Sequence, residues 1–374
     1  YPSSFFYSTC PISIVILQSL KYTQYRAGFP DIYDICYNKK SNIYERDAQK
    51  VNMNPLFFEI LGIKIYYSNL FLLLGLFAML AVSLAFARQM RLDKKYIYLF
   101  GCVALPLGLV LARAFYVIFN PQLFAGGANH PFSISEGGFS LFGAFLGAIA
   151  AAYAVGRKSG NFLRLTDCLA PGGALCICIA RWGNYFNCEC LGMEIENPNL
   201  HFFPLAVYSP VFEQWHFPVF FLESLICLGI FIFLLFASAS FKRRGALTFF
   251  FFTLYCCART FMESMREDSM YIGFVRVSQL MSALVLTGLF IYTVVLSLRL
   301  GGSRALIYVV MLIFICALVR AFTAEFYMGA NSRARNLVYL TVSLLIMGAC
   351  TMFLYIRYYK LSKKPVKFTK RHIS

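Results

Sequence analysis

Arg181-Trp182-Gly183-Asn184-Tyr185-Phe186-Asn187-Cys188-Glu189-Cys190-Leu191-Gly192 closes an apolar segment that begins near Asp167. Within nine residues it sets a cation, two amides and a carboxylate. A charged side chain near a bilayer core costs roughly 2.5–3.5 kcal/mol on insertion scales, so such groups face a protein interior or a polar cavity and mark function. The alternative is that Arg181 snorkels to the interface and the amides tie down a turn.

The composition sets the class. Only 14% of the residues are charged and 59% are hydrophobic, against about 25% charged in an ordinary soluble domain. This predicts an all-α polytopic integral membrane protein. The net charge of +17 raises nucleic acid as a partner. The bases, however, fall in short clusters between apolar runs, where the positive-inside rule places them and where they meet anionic membrane lipid. No nucleic-acid partner is expected. Cys176, Cys178, Cys256 and Cys257 lie within apolar runs and read as small buried hydrophobes. Cys188 and Cys190 are too close to bridge each other. No further ligands stand at metal-site spacing, so they read as packing thiols. Neither metal nor cofactor is expected.

Residues 1–52 differ in texture from the rest, with a short apolar patch at Ile12–Leu20 and a polar run from Asn38 to Val51. They read as an N-terminal extension with little structure, and Met53 as the start of the membrane domain. Apolar segments then recur at about 69–87, 96–119, 138–156, 167–181, 218–239, 245–263, 275–298, 305–324 and 336–359, each near the ~20 residues that cross a bilayer. The segment at 167–181 is short and holds the breakers Pro171-Gly172-Gly173. The expected organisation is nine membrane-crossing helices between Met53 and residue 359, followed by a basic cytoplasmic tail over 360–374. Basic clusters at Arg88–Lys95, Arg157–Arg164, Lys242–Arg244 and Arg299–Arg304 alternate with the loops Asn120–Gly137 and Trp182–Pro218, which hold no Lys or Arg. That pattern puts the tail in the cytoplasm. It brings Arg113, Arg181, Arg259 and Glu263 toward the outer helix ends. The long aromatic loop Trp182–Pro218 is then expected along the outer membrane surface.

A second polar cluster, Tyr255, Arg259, Glu263 and Arg266, has the spacing i, i+4, i+8, i+11 and lies on one helix face. Its bland reading is a surface ladder worth a few tenths of a kcal/mol. Arginines from two helices at headgroup depth form a phosphate clamp, because guanidinium is planar, always charged and binds phosphate through paired hydrogen bonds. The abundant phosphate at that depth belongs to lipid. The residues alone leave an enzyme, a lipid-binding protein and a transporter open, although no internal repeat or pair of broken helices favours the last.

The order of these motifs resembles the bacterial prolipoprotein diacylglyceryl transferases over about Met53 to Ser297, which implies a seven-helix family domain over 53–298 followed by two additional transmembrane helices over 299–359. Arg181 to Gly192 is similar to the family pattern Gly-Arg-x-Gly-Asn-Phe-x-Asn-x-Glu-x-x-Gly. Arg113-Ala-Phe-Tyr116, Asn120 and Glu136-Gly137-Gly138-Phe139-Ser140 precede it in the family's order, as does Asp167-x-x-Ala170-Pro171. Pro218 and Glu223 follow, then Tyr255 to Arg266 and Ser278-Gln279-Leu280. The resemblance implies transfer of a diacylglyceryl group from phosphatidylglycerol to the lipobox cysteine thiol of a prolipoprotein, releasing glycerol phosphate. The site would be at the outer face of a bacterial cytoplasmic membrane, with no cofactor. It implies Arg181 and Arg259 as the catalytic cations. Arg113, Asn184, Asn187, Glu189, Gly192, Tyr255, Glu263, Arg266 and Gln279 are the expected substrate-binding residues. Asn184, Asn187 and Glu189 would orient the headgroup or Arg181, and Tyr255 and Glu263 would position Arg259.

The chain departs from the family at three places. The family histidine, a candidate for deprotonating the thiol, aligns with Phe142; the early tyrosine aligns with Ser68; and the family's His-Pro-Ser-Gln run becomes Phe217-Pro218-Val219-Phe220. A positioned base is typically worth about 10²–10⁴-fold. His216, Tyr67, Glu189 and Glu263 are the substitutes at hand, His216 otherwise reading as an exposed or interfacial residue. The departures keep two other functions open: a relative that binds phosphatidylglycerol or precursor without turnover, and a transferase with another acceptor or lipid. Arg320 and Glu325, near the end of the eighth span, are expected to form one interfacial ion pair in an accessory helix pair.

Overall fold

The computed structural model describes residues 56–60, 63–119, 141–210, 212–266, 271–272, 275–300, 303–327 and 333–362. The expectations for residues 1–52, Asn120, Glu136–Ser140 and the tail beyond Ser362 lie outside them. The chain divides into a small unit, Tyr1–Asn54 with Tyr208–Gln214, and a large one, Pro55–Val207 with Trp215–Ser374. Of the small unit, residues 208–210 and 212–214 are described, and they include the ends of two short strands, Val207–Ser209 and Gln214–His216.

The large unit opens with an antiparallel strand pair, Leu56–Ile60 and Ile63–Tyr66. Ten helices follow among its described residues: α1 Tyr67–Gln89, α2 Lys95–Phe119, α3 Leu141–Ser159, α4 Phe162–Ala180, the short α5 Gly183–Asn187, α6 Val219–Ser240, α7 Ala246–Met265, α8 Val277–Arg299, α9 Arg304–Phe326 and α10 Arg333–Ser362. The nine long ones fall on the nine expected spans, and seven of them are long and apolar enough to cross a membrane. The other two have polar ends: α3 carries Arg157 and Lys158 in its last turn, and α7 carries Arg259 and Glu263. The chain is a multi-pass membrane protein. Leu72, Leu73, Phe77, Leu105, Phe236, Leu312 and Leu345 are exposed on its helices, an apolar exterior suited to lipid rather than water.

The segment expected to be short at 167–181 is part of a 19-residue helix that starts at Phe162 and runs through Pro171. Its glycine serves close packing. A Cβ on Gly172 would sit 2.7 Å from the Met79 carbonyl oxygen, and one on Gly75 would sit 2.8 Å from that of Cys176. The backbones of α1 and α4 therefore touch where a side chain would part them, the device by which small residues drive helix association in membranes. The remaining packing is pairwise: α2 on α3, α6 on α4 and α7, α7 on α8 and α10, and α9 on α10.

Two apolar cores result. One joins α1 to α4, α6 and α7, with Tyr355 of α10; the other joins α8, α9 and α10, with Cys256 of α7 among them. Helix α7 belongs to both. Its N-terminus is fixed by Asp167 of α4, whose carboxylate accepts hydrogen bonds from the Gly245 and Thr248 backbone N–H groups, at 2.5 and 2.9 Å, and from Thr248 Oγ1, at 2.9 Å. A helix N-terminus leaves its first N–H groups without partners in the helix. Here a carboxylate from another helix, 1% exposed, supplies the acceptor. Asp167→Ala removes it and leaves buried donors unsatisfied, at about 1–3 kcal/mol. Thermal unfolding in detergent is expected to show that loss, and Asp167→Asn, which keeps one acceptor, a smaller one.

Candidate active site

Helix α4 ends at Ala180, so Arg181 extends from its C-cap. Helix α6 begins after Pro218 and places Glu223 in its second turn; α7 places Tyr255 and Arg259 beside it. The three helices meet on Glu223, which is 0% exposed. Arg181 Nη2 donates to Glu223 Oε1 at 2.8 Å. Arg259 Nη1 donates to both carboxylate oxygens, at 3.3 and 3.2 Å. The Tyr255 hydroxyl donates to Oε1 at 3.4 Å. One buried carboxylate thus holds two guanidiniums from different helices. Such a group persists in a low-dielectric interior only when charge partners and hydrogen bonds surround it.

The network continues along α7. Arg259 Nη2 lies 3.0 Å from Glu263 Oε2 and donates to Ser278 Oγ at 3.3 Å. Arg266 Nη1 lies 3.8 Å from the same Glu263 oxygen. Gln279 Nε2 donates to the Thr260 carbonyl at 3.3 Å, fastening α8 to α7 one residue after Arg259. The expected ladder is therefore present but embedded: Glu263 is 2% exposed. Three guanidiniums (Arg181, Arg259, Arg266) face two carboxylates (Glu223, Glu263), so the cluster carries one net positive charge. The Arg181 and Arg259 side chains each keep 12% of their surface open.

The loop after Arg181 folds back on the cluster. Cys188 and Cys190 adopt left-handed backbone, φ 53° and 56°, at roughly 1–3 kcal/mol each. This turn brings Cys190 Sγ within 2.9 Å of Asn184 Nδ2 and 3.5 Å of Arg181 Nη1. Cys190, expected to be a packing thiol, is buried but is also a polar partner of the arginine. Burial pushes the Cys188 thiol up to about 11, and the neighbouring Glu189 charge acts in the same direction. Gly192 works by close approach: a Cβ there would lie 2.9 Å from Val219 Cγ2 and 3.1 Å from the Met265 carbonyl. The loop is stitched to the entry of α6 by Gly192 N–H to the Phe217 carbonyl (2.8 Å), Phe217 N–H to the Met193 carbonyl (2.9 Å) and Ile195 N–H to the Trp215 carbonyl (2.7 Å).

The other expected residues fall as follows. Asn187 ends α5 and Glu189 is exposed just after it. The carboxylate on Arg181 is that of Glu223, to which the sequence reading gave no role. An acid within the apolar run of α6 was the signal for it. Arg113 lies on α2, 9% exposed, with its guanidinium 5.7 Å from the Tyr116 ring centroid. Ser68 packs its Cα against Gly183, where a Cβ would be 2.6 Å away. Phe142 is the second residue of α3, and its side chain lies outside the described residues. His216, expected at the surface, is 4% exposed, and its Nδ1 is 2.9 Å from the Gly192 carbonyl oxygen, for which it is the donor. Tyr67 stacks on Phe186, ring centroids 4.3 Å apart.

The sequence model of the prolipoprotein diacylglyceryl transferases matches residues 55–295. The chain belongs to that family. It is 32% identical to the phosphatidylglycerol–prolipoprotein diacylglyceryl transferase of Clostridium novyi over 235 residues, covering 62% of this chain and 91% of that one. A protein of the same name from Clostridium kluyveri is 32% identical over 233 residues, 62% and 91% of the two chains. That of Clostridioides difficile is 30% identical over 246 residues, 66% and 96%. The family match takes in α1 to most of α8 and every member of the Arg181–Glu223–Arg259–Glu263 network; α9 and α10 lie beyond it.

Truncating one partner of a buried ion network strands the others, at about 3–5 kcal/mol. Glu223→Ala is therefore expected to unfold well before the parent in detergent, with Glu223→Asp in between. The raised Cys188 thiol keeps its proton at pH 8 and gains thiolate only as the pH approaches 11. Mass spectrometry after alkylation is expected to show slow modification there at pH 8 and a steep rise at higher pH.

Proposed function

We propose that the protein transfers the diacylglyceryl group of phosphatidylglycerol to the lipobox cysteine of a prolipoprotein, at the outer face of a bacterial cytoplasmic membrane. The observation that carries this reading is the pair of guanidiniums from α4 and α7 held on one buried carboxylate, with one positive charge in excess. A phosphodiester monoanion balances that charge.

In the reaction the precursor's sulfur bonds to the glyceryl carbon that bears the phosphate. The carbon–oxygen bond breaks, and its electron pair leaves with glycerol phosphate. The thiol proton passes to solvent, and the leaving phosphate gains one negative charge. Cations fixed where that charge develops favour the transition state over the bound substrate, and one such donor is typically worth roughly 2.7–4 kcal/mol. Arg181 and Arg259 take this role, kept in place by Glu223, Tyr255, Glu263 and Ser278 rather than by mobile water. The nucleophile belongs to the precursor, so the reaction asks no covalent catalysis of this chain. Asn184, Asn187, Glu189, Arg113 and Arg266 remain as headgroup contacts in this reading, with Gly192 shaping the site by its close backbone approach and Gln279 through its side-chain bond to Thr260.

The test is transfer from labelled phosphatidylglycerol to a lipobox-containing precursor by the full chain in membranes or detergent. Arg181→Ala and Arg259→Ala are each expected to lower the rate about 10²–10³-fold. Phe142→His in the same assay measures the value of the family histidine. Absence of transfer from the parent, with a gain in Phe142→His, would mean a retained scaffold that lacks its base. Absence from every folded variant, with phosphatidylglycerol still bound, would overturn the transferase reading in favour of a binding role.

A further inference from the structure

Glu325, in the last turn of α9, does not form the expected ion pair with Arg320. Its Oε1 lies 3.2 Å from Nη1 of Arg276, while the Arg320 guanidinium sits 4.1 Å from the centroid of the Tyr339 ring on α10. Arg276 is the residue before α8 and is mostly buried, its side chain 11% exposed. The same Nη1 donates to the backbone carbonyl of Glu263 at 2.7 Å. That carbonyl is in the last turn of α7, where it also accepts from the backbone N–H of the C-cap Arg266 at 3.4 Å, and where the helix dipole favours a cation. The carboxylate of Glu263 in turn holds Arg259 at 3.0 Å.

A continuous polar chain therefore runs Glu325, Arg276, Glu263, Arg259. It begins on a helix outside the family match, which ends at residue 295. A second contact comes from α10, whose Leu344 carbonyl accepts from Cys257 Sγ at 3.5 Å, two residues before Arg259. Gly348 allows that approach, since a Cβ there would lie 3.1 Å from the same sulfur.

We propose that Glu325 and Arg276 are positioning residues for Arg259, so that the C-terminal helix pair is a working part of the transfer site. The proposal rests on the transferase reading for its effect on rate, but not for its effect on structure. Glu325 aims Arg276 at the end of α7. Arg276 keeps the last turn of α7 wound. The wound turn keeps Glu263, and with it Arg259, in register with Glu223. Without Glu325 the long Arg276 side chain regains its rotamers, and the C-terminal turn of α7 frays.

The test uses the full chain with Glu325→Gln, Arg276→Gln, the double variant and Arg320→Ala. Two readouts are taken: hydrogen exchange of the Thr260–Arg266 amides, and kcat and KM for transfer. Glu325→Gln is expected to speed exchange in that turn and to lower kcat, each about tenfold, with KM changed less than twofold. The double variant should be no worse than Arg276→Gln, because Glu325 acts through Arg276; coupled residues fail to add in this way. Arg320→Ala loosens the helix pair's own packing and should lower the melting temperature while leaving kcat and the exchange of that turn unchanged. Unchanged exchange in Glu325→Gln would overturn the proposal. So would additive losses in the double variant, or an equal fall in kcat for Arg320→Ala. A parent without transfer activity would overturn the transferase reading alone, and hydrogen exchange would still decide the positioning.

Discussion

Everything in the membrane domain is arranged so that one carboxylate, Glu223, can be buried between two arginines. A charge with no exposed surface has to be compensated where it stands, and the compensation comes from α4 and α7, helices distant in sequence. Their approach is set elsewhere. Asp167 of α4 binds the N-terminus of α7 at one end, and Ser278 and Gln279 of α8 bind its last turns at the other. Helix α7 is fixed at both ends and contributes to both apolar cores. Arg259 takes its precision from that, which electrostatic preorganisation requires.

Much of this was legible in the sequence for a specific reason. Helical spacing projects Tyr255, Arg259, Glu263 and Arg266 onto one face, and the loops without Lys or Arg mark one side of the membrane; both patterns are local. Contacts between helices leave no such trace. Arg181 and Glu223 are 42 residues apart and Glu223 and Arg259 are 36 apart, and no periodicity links them. The same limit explains Glu325, which was matched with Arg320 on its own helix when its partner was Arg276. It also explains Cys190 and His216, both buried because the loop turns back through two left-handed residues.

The departures from the family pattern look less alike once placed in the fold. At Phe217 the contacts to Gly192 and Met193 are made by backbone N–H and carbonyl groups, so the change of side chain leaves them intact. Ser68 sits against Gly183 at the base of the Arg181 loop, where space is short. Phe142 stands at the start of α3, as its second residue.

The glycine-mediated contact between α1 and α4 also constrains how the protein is made. Helix α1 packs chiefly on a helix that begins more than seventy residues after its own end, whereas α2 and α3 pack on each other. During synthesis α1 therefore enters the lipid before its partner exists, and the α2–α3 pair forms while α1 waits. When α4 arrives it must slide against a helix already in the bilayer, and the bare backbone at Gly75 and Gly172 lets two finished helices close on each other without either having to unwind.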